Sequence, residues 1–174
     1  MENFNYQKKL KRIWEVALAK YEAGDRDPNN YFSLATLADL SAIGLNTMDV
    51  YDYVEDYVSY GEPDFETFLL VSSARKDYLF LAQEGNRITK LIDGAALPGK
   101  DAKVNGIVWL PRIMHKAWAK LRGALPPETM YGCSGDRSFF KEYNIHPADF
   151  LRIAWAYEKD ESKLVDWVIA QKSQ

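Results

Sequence analysis

The sequence predicts an all-α fold, a compact domain of six to eight helices with room for one short hairpin in residues 83–108. Three observations predict it. Apolar residues recur at the three- and four-residue spacing of a helix face over most of the chain. Helix-starting residues (Ser33, Asn46, Pro111, Pro147) and helix-ending glycines (Gly24, Gly44, Gly123) bracket those stretches. The 174 residues are 47% hydrophobic and 14% aromatic, enough for one sizeable core.

Taken in order, Tyr6, Leu10, Ile13, Trp14, Ala17, Leu18 and Tyr21 form the apolar face of a first helix that Gly24 ends. A polar turn over Asp25–Asn30 leads to a short helix opened by Ser33, carrying Leu34, Leu37 and Leu40 and closed by Gly44. Asn46 or Thr47 caps the next helix, which should bury Val50, Tyr51, Val54, Tyr57 and Val58 before Gly61 and Pro63 break it. From Phe65 to Leu81 apolar residues lie on nearly all sides, which predicts a central, buried helix. Residues 83–108 are irregular. Pro111 fits as the first residue of a helix closed by Gly123, and a loop opens at Pro126-Pro127. Three short helices follow, Asp136–Tyr143, Pro147–Tyr157 and Glu161–Ala170, the last capped by Asp160. Residues 1–174 read as one helical domain in which segments 1–82 and 106–174 share a core.

A net charge of −3 and a pI near 5.5 make a nucleic-acid partner unexpected, because phosphate neutralisation needs a basic excess. The single Cys133 leaves no intrachain disulfide. With only His115 and His146 beside it, the chain falls short of a Cys/His zinc site, so no metal and no cofactor is expected. Lys8, Lys9, Lys11 and Arg12 are followed by no apolar run, so no signal peptide is expected. The longest apolar run, Phe68–Val71, is far too short for a membrane span. The cytoplasm is the expected compartment.

Charge is unevenly spread. Thr47–Glu66 holds Asp49, Asp52, Glu55, Asp56, Glu62, Asp64 and Glu66 with no Lys or Arg, whereas Gly99–Arg122 holds Lys100, Lys103, Arg112, Lys116, Lys120 and Arg122 against Asp101. On the helix from Pro111, Arg112, Lys116 and Lys120 stack at four-residue intervals opposite Ile113, Met114, Ala117, Trp118 and Leu121, which predicts a solvent-facing basic stripe. Two solvated faces, or two faces paired with each other, are the plain alternative. The segment Gly132-Cys133-Ser134-Gly135-Asp136-Arg137 leads into a helix, where backbone amides attract anions and can activate a thiol; equally, Asp136 can cap the helix itself. Arg75-Lys76-Asp77-Tyr78 lies within the apolar helix and calls for partners: a buried Arg75–carboxylate pair, or a pocket lined by Arg75, Asp77 or Tyr78.

The blocks Trp109-Leu110-Pro111-Arg112, Lys120-Leu121-Arg122-Gly123, Met130-Tyr131-Gly132-Cys133 and Asp136-Arg137, continuing through Pro147–Leu151 to Trp167-Val168, resemble a bacterial family of uncharacterised proteins. The resemblance spans roughly residues 90–170 and extends over most of the chain through Tyr51-Asp52, Glu55-Asp56 and Arg75–Phe80. It implies a compact helical bacterial protein with a polar signature at Arg112, Lys116, Cys133 and Asp136, and no assigned activity. His115 and Trp118 depart from the family pattern, which has an acidic and a basic residue there.

The leading expectation is a binding domain that takes a small anion or an acidic partner through Arg112, Lys116, Arg122, Cys133, Asp136 and Arg137 in one pocket. The alternatives are an enzyme with Cys133 as nucleophile and His115 or His146 as base, and a protein-interaction module using the acidic helix 47–58.

Overall fold

The computed structural model describes residues 3–172. Among them the chain forms eight α-helices: α1 (Tyr6–Glu22), α2 (Leu34–Ala42), α3 (Thr47–Tyr60), α4 (Phe65–Leu81), α5 (Leu110–Arg122), α6 (Ser134–Glu142), α7 (Pro147–Ala156) and α8 (Glu161–Gln171). One antiparallel hairpin, β1 (Lys103–Val104) and β2 (Ile107–Val108), sits between α4 and α5. The all-α class with a short hairpin is the observed architecture. No described helix is long and apolar enough to cross a membrane.

Local chemistry explains most boundaries. The Ser33 hydroxyl accepts from the Thr36 amide, and Asn46 and Asp49 form a reciprocal capping box at the start of α3. Gly123 closes α5 in the left-handed conformation, as Gly61 does α3. In the hairpin, Asn105 and Gly106 both have positive φ, the two-residue turn that matches the twist of short antiparallel strands. Asp160 differs from expectation: it stands before α8 but accepts from the Ser162 hydroxyl, not from a backbone amide.

One hydrophobic cluster runs through both halves, from Leu10 on α1 to Val168 on α8. α1 packs on α3 and α4; α4 packs on α5 and α7, and α5 on α7. Trp14 anchors the first half through edge contacts to Tyr57 and Phe65 and a tilted one to Phe68. On α2 Leu40 is buried, whereas Leu34 is exposed. Two expectations need correction. On α3 Tyr57 and Val58 are partly exposed, and Tyr53 is buried in their place. On α4 Leu70, Phe80 and Leu81 reach solvent, so that helix is not enclosed on every side. The α3 difference has a clear cause: Asp49, Tyr53 and Asp56 form a second face, at four- and three-residue steps, that turns toward α5 and α6.

Candidate functional site

Two of the three cations in the basic stripe of α5 do not face water. Lys116 and Lys120 are buried, and the expectation of a solvent-facing stripe is overturned for both. Each meets a carboxylate supplied from a distant segment, Lys116 with Asp136 of α6 and Lys120 with Asp49 of α3. A buried ammonium without such a partner would be strongly unfavourable, so the counter-ions are what allow the stripe to turn inward. Arg112 is half-buried and donates from Nη1 to the Pro98 carbonyl at 2.8 Å.

Asp136 is the centre of this closed cluster. Its side chain is 0% exposed, and besides Lys116 it accepts from the Trp109 indole Nε1 and from the Gly132 amide, both at 2.9 Å. The expected capping role is therefore corrected: Cys133 occupies the N-cap position, and Asp136 lies inside the first turn of α6. The two glycines of the loop serve this packing. Gly132 has φ +93°, and a Cβ there would stand 2.8 Å from the Tyr53 hydroxyl. At Gly135 a Cβ would meet the Trp109 ring at 2.5 Å, so the open side of the helix start is filled by indole.

Cys133 is partly exposed, and its Sγ lies 3.4 Å from Lys116 Nζ. Neither histidine hydrogen-bonds to it among the described residues. His115 is exposed and shares a 2.8 Å contact between Nδ1 and the Pro111 carbonyl. His146 caps α7, its Nδ1 accepting from the Ala148 amide at 3.2 Å, so a neutral ring carries its proton on Nε2. The Cys–His pairing thus lacks the contact that nucleophile activation requires.

The remaining predicted residues are dispersed. Arg122 pairs with Glu158, which also accepts from the Tyr78 hydroxyl at 3.1 Å. Asp77 lies beside Lys76. Arg75 is 2% exposed, but its partner is an amide rather than the expected carboxylate: Nη1 donates to Gln83 Oε1 at 2.9 Å, and Nε has no partner. Its guanidinium lies against Gly44 and Gly123, where a Cβ would come within 2.9 Å and 2.7 Å, at the C-terminal ends of α2 and α5. Burial pulls its pKa down to about 10, with Asp49 opposing and Arg87 adding to the fall.

Of the predicted binding residues only Arg137 opens on a cleft of about 750 Å³, where the candidate base His146 also lies. Its walls are the strap between α3 and α4 (Gly61, Glu62, Pro63, Asp64), Thr67 of α4, and α6 with the start of α7 (Phe140, Lys141, Asn144, Ile145, His146, Pro147), with Tyr53 and Gly132 also lining it. Arg137 Nη1 donates to Asp56 Oδ2 and to the Gly132 carbonyl, and Nε to Glu62 Oε1 at 3.3 Å; Nη2 has no hydrogen-bond acceptor among the described residues. Lys141 Nζ reaches both oxygens of Glu62, at 2.7 Å and 2.6 Å. The Lys141 hydrogen bond is the chief reason the Glu62 carboxyl sits below its ordinary pKa. Sequence reasoning missed Glu62, Lys141 and Tyr53. The signal for Lys141 was present, since it follows Arg137 by four residues on the same helix face.

A second groove of about 340 Å³ is acidic, lined by Asp52, Glu55, Asp56 and Glu128 together with Met48, Tyr51, Tyr60, Met130 and Cys133. Asp52 has no ion-pair partner among the described residues. Burial, then the charge of Asp49, raises its pKa to about 7. Among the described residues no group of three His, Cys, Asp or Glu is placed to hold a metal ion. Compared with protein-family models, with curated proteins and with solved structures, the chain finds no match in any of the three.

Proposed function

We propose that the protein is a binding domain whose ligand carries an anionic group, seated in the 750 Å³ cleft at Arg137 and Lys141. A small anion and an acidic partner segment share that chemistry. One observation carries the reading: a guanidinium that is 7% exposed and already held in place keeps a free Nη2 donor on the wall of a cleft of ligand size. Phe140, Ile145 and Pro63 offer an apolar surface beside it. The leading expectation from the sequence keeps its ligand class and moves its site: Arg112, Lys116 and Arg122 are engaged elsewhere, and Arg137 is retained. A bacterial, cytoplasmic setting goes with this reading, supported by the family resemblance and the single cysteine.

Titration with N-acetyl-glutamate amide, followed by amide NMR, tests it. Shifts are expected at Gly132, Asn144 and Ile145, weakened by Lys141→Met and by added salt. Shifts scattered over the surface, or unchanged in the variant, would reject the cleft as the site.

A second reading, a contact site for a basic partner along α3, is favoured by Asp52, a carboxylate in the acidic groove with no ion-pair partner among the described residues. It requires Asp52→Asn to weaken binding of a lysine-rich peptide; equal binding removes it.

A further inference from the structure

Arg137 is served by two carboxylates, and they are not equivalent. Asp56 is anchored in α3 with a side chain 18% exposed, and together with the Gly132 carbonyl it fixes the guanidinium through Nη1. Glu62 comes from the strap, is 39% exposed, and touches the guanidinium only through Nε at 3.3 Å. Its closer contacts are to Lys141, itself 66% exposed. An exposed pair of this kind contributes little to stability. Removing the Glu62 carboxylate leaves Arg137 both neutralised and positioned by Asp56. The fork formed by Arg137 Nε and Lys141 Nζ would then stand open to the cleft.

The strap itself is anchored, by buried Pro63 and by Asp64 at the cap of α4. The Glu62 side chain is not: it is 39% exposed, with open space beside it at Gly61, so it can swing to solvent about its own torsions and leave two cations that Asp56 and water still satisfy.

We infer that Glu62 is a built-in occupant of the anion seat, displaced on binding by a ligand carboxylate. This deepens the proposed function and rests on the cleft being the ligand site. The chemical class follows from what surrounds the seat. Asp56, Asp64 and Asp149 lie around or behind it, so a monoanion replacing Glu62 keeps the local charge unchanged, whereas a phosphate dianion adds a negative charge among carboxylates. Two oxygens of one planar carboxylate already satisfy the fork in the Glu62 arrangement. The ligand is thus a carboxylate, from a free acid, an acidic side chain or a chain terminus.

The test compares the wild-type protein with Glu62→Gln, using acetate as the bare carboxylate and inorganic phosphate as the dianion. The Arg137 Nε–H resonance reports binding directly. The glutamine keeps the shape of the strap and loses the charge. A roughly tenfold or larger fall in the acetate dissociation constant is expected in the variant, and in the wild-type protein acetate is expected to bind more tightly than phosphate. Acetate bound equally by both proteins would overturn the role of Glu62 and leave the cleft reading standing. Phosphate bound more tightly than acetate by the wild-type protein would overturn the carboxylate class. Failure of both probes to move the Arg137 resonance in either protein would overturn the cleft reading as well. Acetate and N-acetyl-glutamate amide gaining alike in the variant would support the seat for free and peptide-borne carboxylates together; a gain for acetate alone would assign it to the free acid.

Discussion

Asp136 and Arg137 are neighbours in sequence, one residue apart on α6, and they end in opposite circumstances. Asp136 turns into the core, where an ammonium, an indole N–H and a backbone amide use its oxygens and no solvent reaches it. Arg137 turns the other way, toward a cleft, with one carboxylate to hold it and a second, more exposed one resting on it. Both are ionic clusters, yet only the second has a partner that can leave. Removing either charge of the closed cluster strands the other in the core, which commits those residues to stability. At the rim Glu62 can be exchanged for another anion at little cost, and exchange is what binding requires. A count of basic residues therefore says little about a ligand site. The exposure of the counter-ion says more.

The largest effect should come from breaking the closed cluster. Asp136→Ala leaves Lys116 charged and buried, and is expected to lower unfolding free energy by about 3–5 kcal/mol in chemical denaturation. A loss below about 1 kcal/mol would mean that water reaches Lys116, and the contrast between the two clusters would fail. Gly135→Ala tests the same cluster from the packing side. The new methyl must push the Trp109 ring away from Asp136, and a loss of about 1–3 kcal/mol is expected, with a change in tryptophan fluorescence.

A pH effect sharpens the comparison at the acidic groove. The folded pKa of Asp52, near 7, lies above that of an ordinary carboxyl, so the folded chain keeps a proton that the unfolded chain has already released. Stability should accordingly fall as pH rises from about 4 to about 7 and stay lower beyond. Asp52→Asn removes that dependence; at about pH 8 it should exceed the wild type by about 1–2 kcal/mol, allowing for partial solvent screening, and match it near pH 4. Equal stability at both pH values would show that the groove leaves Asp52 ordinary. The smallest effect is predicted for Glu62→Gln, a change of about 0–1 kcal/mol in unfolding free energy. A loss as large as that of Asp136→Ala would make the rim as closed as the core.

Helix starts and stops were legible because they are local. Ser33, Asn46 and Pro147 act within three residues of themselves, and the structure has α2, α3 and α7 where those residues predict them. One short hairpin was expected within 83–108, and its turn, Asn105-Gly106, is a local signal that went unread. Burial around α3 was only half legible: the spacing of Val50 and Val54 marks one face, but Tyr53 is apolar enough to serve a second, and the sequence does not say that a second neighbour exists.

The site was less legible than the fold. Arg137 was named among the candidates, but Glu62 is 75 residues away in sequence and read only as one of the acidic residues of Thr47–Glu66. Lys116 and Lys120 carried the sequence pattern of a solvated stripe and became core instead.

By itself, then, the sequence determined an all-α chain, the positions of its helices and the existence of one acidic and one basic helix face, because periodicity and capping depend on residues within a turn or two of one another. Which of those charges are spent inside the molecule was decided by tertiary structure alone. A helix face sets where a charge points, whereas its solvation depends on whether a counter-ion arrives from elsewhere, as Asp49 does for Lys120 across 71 residues of chain.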